Sequence, residues 1–324
     1  MNIKNKENIF SYLKNGCYIF NEDFTQLVLI DNLSEIPHFN SKGILKRIKH
    51  IFKFIKNKRK IEVFTNVKKF NGDLLLIPST QYGYKVFGDK NIITIFNDND
   101  FFYKIIENRK KISEIFDVPN TTIDEKEKSI TEERIKLLHS SNKDDNENRI
   151  IYFMKNYTKY FSQNKQDIST IYFDDKKYRF KIFYRAFFKK IRTKNNINAI
   201  IQHGDMWTNN ILFDGVKYYV IDYENVDKKY VLYDFFTYIY NEMLINNNSQ
   251  ELLNYFNGVY DNILNEYMSS IGLEYDSAEK KEYFCAFLKE ILNEKFPNYN
   301  LYYYFIEINK MKKIIKFLDK EGKL

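Results

Sequence analysis

Cysteine is nearly absent from this chain: Cys17 and Cys285 are the only two in 324 residues. Two thiols make neither a disulfide framework nor a tetrahedral zinc site. Four prolines and ten glycines exclude collagen-like repeats and proline-rich linkers. No apolar run approaches the ~18 residues that a membrane-spanning helix needs. The first ten residues, MNIKNKENIF, carry charges with no apolar stretch behind them, so no secretory signal is expected. A cytoplasmic protein with both thiols reduced is the expectation. The four histidines, at 38, 50, 139 and 203, lack metal-ligand spacing. The signatures G-x-x-x-x-G-K-[ST], G-x-G-x-x-G, H-E-x-x-H and G-x-S-x-G are absent as well, which removes the common phosphate-loop, dinucleotide, zincin and serine-hydrolase chemistries.

What the chain has in excess is aromatic side chains, 18% of residues, with 27 Tyr and 29 Phe but one Trp. Its formal charge of +8 is unevenly spread. From Gln202 onward 13 Lys face 19 Asp or Glu, a net −6, which leaves +14 on the preceding part. Ser41 to Lys60 alone holds nine basic residues and no acidic one. There Ile44, Ile48, Ile51 and Ile55 step by four, three and four, and Lys42, Lys46, Lys49, Lys53, Lys56 and Lys60 repeat those steps on the opposite side. The spacing predicts a basic amphipathic helix. Two readings fit it: a surface helix with its isoleucines on a core, which is the commoner case, or a helix lying on an anionic membrane.

Three short strands are expected next, Asp73 to Pro78, Tyr84 to Phe87 and Ile92 to Phe96, with a turn at 88 to 91. A helix over Asp98 to Phe116 and two further strands, Thr121 to Asp124 and Ser129 to Thr131, complete a small antiparallel sheet with one crossing helix. Beyond a hinge at Glu132 to Lys136 the pattern turns helical, over Arg149 to Phe161, Lys177 to Ile191, Ser249 to Met268, Ala278 to Phe296 and Leu301 to Leu318. The expected class is α+β, with an N-terminal extension over 1–70, an antiparallel-sheet lobe over 71–135 and a mainly helical lobe over 136–324.

The most informative stretch is Ile200 to Glu224, IIQHGDMWTNNILFDGVKYYVIDYE. Short apolar strands, Ile211 to Phe213 and Val216 to Ile221, flank Asp214-Gly215, a strong hairpin signal. A hairpin brings its ends together, so Asp205 and Asn210, before the first strand, meet Asp222, after the second. Two cation-binding oxygens and a separate carboxylate to orient a hydroxyl are what phosphoryl transfer requires, since the protein's task is positioning and charge neutralisation.

His203-Gly204-Asp205, then Asn210, then Ile221-Asp222-Tyr223-Glu224 resembles the catalytic core of aminoglycoside phosphotransferases and choline-kinase-like enzymes, whose fold is the two-lobed protein-kinase-like one. The filling HGDMWTNN is similar to the fructosamine-kinase and ecdysteroid-kinase-like groups. The resemblance implies that Asp205 is the catalytic base and that His203 braces the loop. It implies that Asn210 and Asp222 hold Mg²⁺ against the phosphates of ATP or GTP, and that Asp234 ties the loop down from a helix. Glu224 would lie near metal or acceptor. The lobe over 71–135 would bind nucleotide, and 136–324 would carry the catalytic loop and acceptor site. The implied function is phosphorylation of a hydroxyl on a small molecule of aminoglycoside, amino alcohol or sugar type. Nucleic acid is not an expected partner, although aromatics interleave with basic residues over Tyr178 to Lys190; peripheral membrane contact stays open. The acidic C-terminal part fits a cationic acceptor, and Phe236, Tyr240, Tyr302, Tyr303 and Tyr304 are either pocket or core.

One departure stands out. Kinase-like sheets carry a lysine on the third strand, paired with a helix Glu, and here that strand offers Thr94. Lys85, across the hairpin, is either its replacement, with Glu107 as partner, or an ordinary edge-strand lysine. The alternative function is a non-catalytic kinase-like binding protein docking on nucleic acid or an anionic membrane through its basic N-terminal part.

Overall fold

The computed structural model describes residues 90–135, 145–164, 168–172, 196–295 and 301–323, together with strands at 2–4, 16–20, 26–30, 60–64, 72–77 and 84–88. The basic segment before Lys60 and the helix expected over Lys177 to Ile191 lie outside the described residues. Two compact units emerge, one of residues 1–107 and 119–136, the other of 108–118 and 137–324.

The first unit is built on a nine-stranded sheet in the order β1-β4-β3-β2-β5-β6-β7-β9-β8. Strands β1 (Asn2–Lys4), β2 (Gly16–Phe20), β3 (Gln26–Ile30) and β4 (Lys60–Phe64) extend it outward from β5 (Gly72–Ile77). Strands β6 (Tyr84–Gly88), β7 (Asn91–Ile95), β8 (Thr121–Asp124) and β9 (Ser129–Glu133) follow the expected positions within a residue or two. Helix α1 (Asn99–Ser113) crosses from β7 to β8. It starts where the Asp98 carboxylate accepts the Phe101 amide at 2.9 Å, a side-chain cap on an unpaired first-turn donor. Phe102, Ile105 and Ile112 fall on one face and are buried. Phe96, Phe101, Phe102, Ile105 and Ile130 form the local core, and the boundary between the two units falls in α1 after Glu107.

The second unit is mainly helical. Helix α2 (Asp145–Gln163) buries Ile150, Phe153, Met154, Tyr157 and Phe161, the one-sided spacing of an amphipathic helix. Helix α3 (Tyr233–Ile245) has no polar face over its first two turns: every residue from Tyr233 to Tyr240 is buried, as expected of a helix enclosed by others. Against it pack α2, α4 (Gln250–Phe256) and α6 (Lys280–Lys295), while α5 (Asp261–Ser270) packs on α2 and α7 (Leu301–Lys320) on α6. The single helix expected over Ser249 to Met268 is two, because Gly258 adopts φ +90° and the chain turns there.

A three-stranded sheet joins β10 (Ser169–Tyr172), β11 (Asn196–Gln202) and β14 (Asp227–Tyr230), in that order. None of these three strands is evident from period alone. A hairpin of β12 (Ile211–Phe213) and β13 (Tyr218–Val220) stands beside them.

The aromatic surplus is core. The largest fully buried side chains are all Tyr or Phe, among them Tyr157, Tyr238, Tyr255, Tyr260 and Tyr267. Each of these five hydroxyls donates inside the fold, to Asp234, Asn146, the Lys280 carbonyl, Glu251 and the Val231 carbonyl respectively. A buried phenol needs such a partner. Phe236 and Tyr240 are buried too, so of the two readings open for them core is correct. The Cys285 thiol is pushed up to about 12 by burial, which keeps it protonated and unreactive at neutral pH.

Candidate active site

The loop that follows β11 is clamped from below by one buried carboxylate. Asp234, in the first turn of α3, accepts the His203 amide at 2.7 Å and the Gly204 amide at 2.8 Å. Tyr157 from α2 donates its hydroxyl to the same carboxylate at 2.5 Å and receives the His203 amide at 3.0 Å. Gln202 then accepts the Asp234 amide at 3.3 Å. Two successive loop amides on one carboxylate fix the direction in which residue 205 leaves the loop.

Gly204 permits the turn. Its φ is +84°, and a Cβ there would lie 2.2 Å from the Asn225 carbonyl oxygen and 2.6 Å from Lys229 Cε. Glycine alone fits. Lys229 is itself buried and places its ammonium over the Tyr233 ring, 4.6 Å from the centroid.

His203 is fully buried and braces two segments. Its Nε2 donates to the Ile221 carbonyl at 2.9 Å, and its Nδ1 accepts the Asp205 amide at 3.4 Å. A carbonyl can only accept, so the hydrogen resides on Nε2.

The hairpin delivers Asp222 to the loop as its register requires. Ile211 faces Val220 and Phe213 faces Tyr218, and the Ile221 amide extends the ladder to the Asn210 carbonyl at 3.0 Å. The turn is four residues long rather than two. Asp214 captures the amides of Val216 at 2.7 Å and Lys217 at 2.9 Å, which delays the second strand to Tyr218. The Lys217 and Val216 amides also hold the Asp214 carboxyl below its ordinary range.

Asn210 ends a single 3₁₀ turn, Thr208–Asn210. Its Nδ2 donates to the Asp205 carbonyl at 2.8 Å and to Asp205 Oδ2 at 3.3 Å, which leaves Oδ1 for a cation. Burial, then the Asp222 charge, raises the Asp205 carboxyl above its ordinary range. Asp222 adopts φ +69°, and its Oδ1 is buried with no hydrogen-bond partner. An unpaired buried carboxylate oxygen is costly unless something positive meets it. A carboxylate beside an amide oxygen is a hard donor set, suited to Mg²⁺ or Ca²⁺ rather than to zinc. The site therefore fits the implied cation. No group of three or more His, Cys, Asp or Glu able to hold a metal occurs among the described residues.

A second buried carboxylate supports the far side of the loop. Glu242 of α3 is 2% exposed and accepts from Thr208 Oγ1, from Asn246 Nδ2 at 2.8 Å and from Asn146 Nδ2 at 3.0 Å. Arg149 caps the Thr208 carbonyl at 3.1 Å and pairs with Asp145 at 2.5 Å. Glu224, half-buried, sits in the turn just after Asp222.

The sequence reading misses Tyr157, Gln202 and Glu242. Tyr157 and Glu242 lie on helices far along the chain from the loop they hold, and Gln202, next to His203, carries no pattern that marks it.

In the first unit, Lys85 lies directly opposite Thr94 in the β6–β7 ladder. Directly opposed residues of an antiparallel pair share a face, and Thr94 is opposite the core residue Ile130 on its other side. Lys85 thus stands on the sheet face that carries this core, half-buried, and Glu107 is at an exposed position of α1.

A sheet with one crossing helix, and a mainly helical unit with H-G-D, N and I-D gathered at a hairpin, is the α+β class expected from the sequence. Solved structures similar to this chain include aminoglycoside phosphotransferases and choline kinases. A thermostable mutant of aminoglycoside phosphotransferase APH(4)-Ia, in ternary complex with ADP and hygromycin B, matches at 11% identity over 77% of this chain and 96% of that one, TM-score 0.48. Choline kinase LicA from Streptococcus pneumoniae matches at 14% identity over 84% and 99%, TM-score 0.41. Amicoumacin kinase hAmiN, in complex with AMP-PNP, Ca²⁺ and Ami, matches at 10% identity over 70% and 81%, TM-score 0.41. No protein-family model and no curated protein sequence matches the chain.

Proposed function

We propose that this chain is an ATP- and Mg²⁺-dependent kinase that phosphorylates a hydroxyl of a small molecule. The observation that carries the reading is the buried, unpartnered Asp222 Oδ1, one residue past the Ile221 amide that bonds the Asn210 carbonyl and close enough for its charge to help raise the Asp205 carboxyl. In this reading Asp205 accepts the proton of the acceptor hydroxyl as its oxygen bonds to the γ-phosphorus and the bond to the nucleoside diphosphate breaks. A carboxyl held above its ordinary range is a better proton acceptor than a surface aspartate. Asp222 and Asn210 hold the cation. Bound there, Mg²⁺ neutralises phosphate charge and orients the transferring group. His203 and Asp234 keep the loop in register, Lys85 adds positive charge toward the phosphates with Glu107 as its partner, and Glu224 lies near metal or acceptor.

The acidic balance after Gln202 supports a cationic acceptor such as an aminoglycoside or amino alcohol, with sugars as the competing class. Measuring ATP consumption across these three classes tests the proposal. Turnover with one class supports it. If ATP and Mg²⁺ neither stabilise the protein thermally nor are consumed with any acceptor, the non-catalytic alternative, favoured by Thr94 in place of lysine, takes over.

A further inference from the structure

Asp222 holds a left-handed backbone conformation, φ +69°, uncommon for any residue but glycine, although aspartate tolerates it better than most. Such a residue persists only where its surroundings over-determine it. The carbonyls of the residue before it and the residue after it are each pinned by a buried side chain. The Ile221 carbonyl accepts from His203 Nε2 at 2.9 Å, and the Tyr223 carbonyl accepts from Asn108 Nδ2 at 2.8 Å. The Tyr223 hydroxyl closes back on the Val220 carbonyl at 3.0 Å. His203 belongs to the catalytic loop already described. Asn108 does not: it comes from α1, 115 residues upstream of the carbonyl it holds, and is 3% exposed.

We propose that Asn108 is a positioning residue for Asp222, and that cation affinity depends on its hydrogen bond to the Tyr223 carbonyl. The inference rests on the reading of Asp222 as a metal ligand. The direction in which the Asp222 carboxylate leaves the backbone is set by the φ and ψ of residue 222. Those angles are fixed by the two peptide planes that flank it. His203 holds the first plane directly; the second is held through residue 223, whose carbonyl bonds Asn108 and whose hydroxyl bonds the Val220 carbonyl. With the Asn108 bond gone, residue 223 loses one of its two anchors, residue 222 relaxes toward negative φ, and its carboxylate swings away from Asn210. An amide suits the task because it is short and planar, and donates to a carbonyl without bringing charge into a buried place. Leucine keeps the volume but leaves the carbonyl unpaired. Aspartate keeps the shape but sets oxygen against oxygen.

The test is Mn²⁺ binding followed by electron paramagnetic resonance, with and without AMP-PNP, in the wild type and in Asp222→Ala, Asn108→Leu and Asn108→Asp. Metal-free AMP-PNP affinity and cooperative melting are measured alongside. Partners that orient a ligating carboxylate are worth about 10- to 100-fold in metal affinity. The expected result is Mn²⁺ binding that Asp222→Ala abolishes and that both Asn108 variants weaken by about tenfold or more, with metal-free nucleotide affinity unchanged. A loss of folding alone would move both affinities together. If Asn108→Leu does not melt cooperatively, the isosteric Asn108→Asp decides. An Asn108 variant with wild-type Mn²⁺ affinity overturns this proposal and leaves Asp222 in its role. Wild-type Mn²⁺ binding that survives Asp222→Ala overturns the reading of the site and this proposal with it.

Discussion

At Gly204 the chain turns through φ +84° with the Asn225 carbonyl 2.2 Å from where a methyl carbon would sit. Neither the backbone angle nor the space tolerates a side chain, so Gly204→Ala is expected to cost more than about 2 kcal/mol in denaturant unfolding. Asp205, one residue on, is held by its neighbours but does not hold them: Asn210 and His203 keep their other partners without its charge. Asp205→Asn should therefore fold, bind Mg²⁺ and nucleotide, and lose about 10²- to 10⁴-fold in kcat. Turnover near wild type would remove Asp205 from the role of base. Away from the site, Glu251 is buried and accepts from Tyr260 and Asn254. Burial raises its carboxyl above the ordinary glutamate range, so the folded state holds that proton more tightly than the unfolded chain does. Its contribution to stability is then greatest at low pH and falls as pH rises through the raised value. Glu251→Gln removes the fall. Its melting temperature should exceed that of the wild type at pH 7–8 and lose that advantage near pH 4; an equal gain at both would mean that Glu251 ionisation is not the source of the fall.

The β6–β7 ladder sets the strongest prediction about an element. Lys85 and Thr94 are cross-strand partners on one face, a relation that strand alternation alone leaves undecided and that the register resolves. Lys85→Met is expected to raise the KM for ATP about tenfold, the scale of a lost hydrogen bond to a charged group, with little change in folding stability. Lys90→Met, at an exposed turn position, should change neither. The elements themselves were legible to different degrees. Helix α1 and strands β5 to β9 follow from period and turn residues, and in α1 the buried Phe102, Ile105 and Ile112 alternate with exposed positions as that period requires. Strand β14 reads DKKY, with Lys229 buried against Tyr233 instead of facing solvent, so its polar letters hide it. Helices α4 and α5 merge in a periodic reading because Gly258 interrupts backbone, not hydrophobic pattern.

For the whole molecule, the order of motifs along the chain foretold which groups meet. His203, Asp205, Asn210 and Asp222 are local to one hairpin, and a hairpin is the shortest tertiary contact a sequence can encode. The residues that hold them are not local. Tyr157 and Asp234 approach the loop from α2 and α3, Glu242 from α3, and Asn108 from α1. Their positions depend on how the second unit packs, which local period does not carry. The same holds for the aromatics, whose count reads equally as pocket or core until burial is known.

Asp222 and Asn210, as the proposed cation site of a nucleotide-dependent phosphotransferase, are best examined by calorimetry of ATP binding with and without Mg²⁺. The wild type should bind ATP in a Mg²⁺-dependent manner, and Asp222→Ala should lose the Mg²⁺-dependent part while still folding cooperatively. Unchanged Mg²⁺–ATP affinity in Asp222→Ala, or no Mg²⁺-dependent ATP binding by the wild type, would remove both residues from that role.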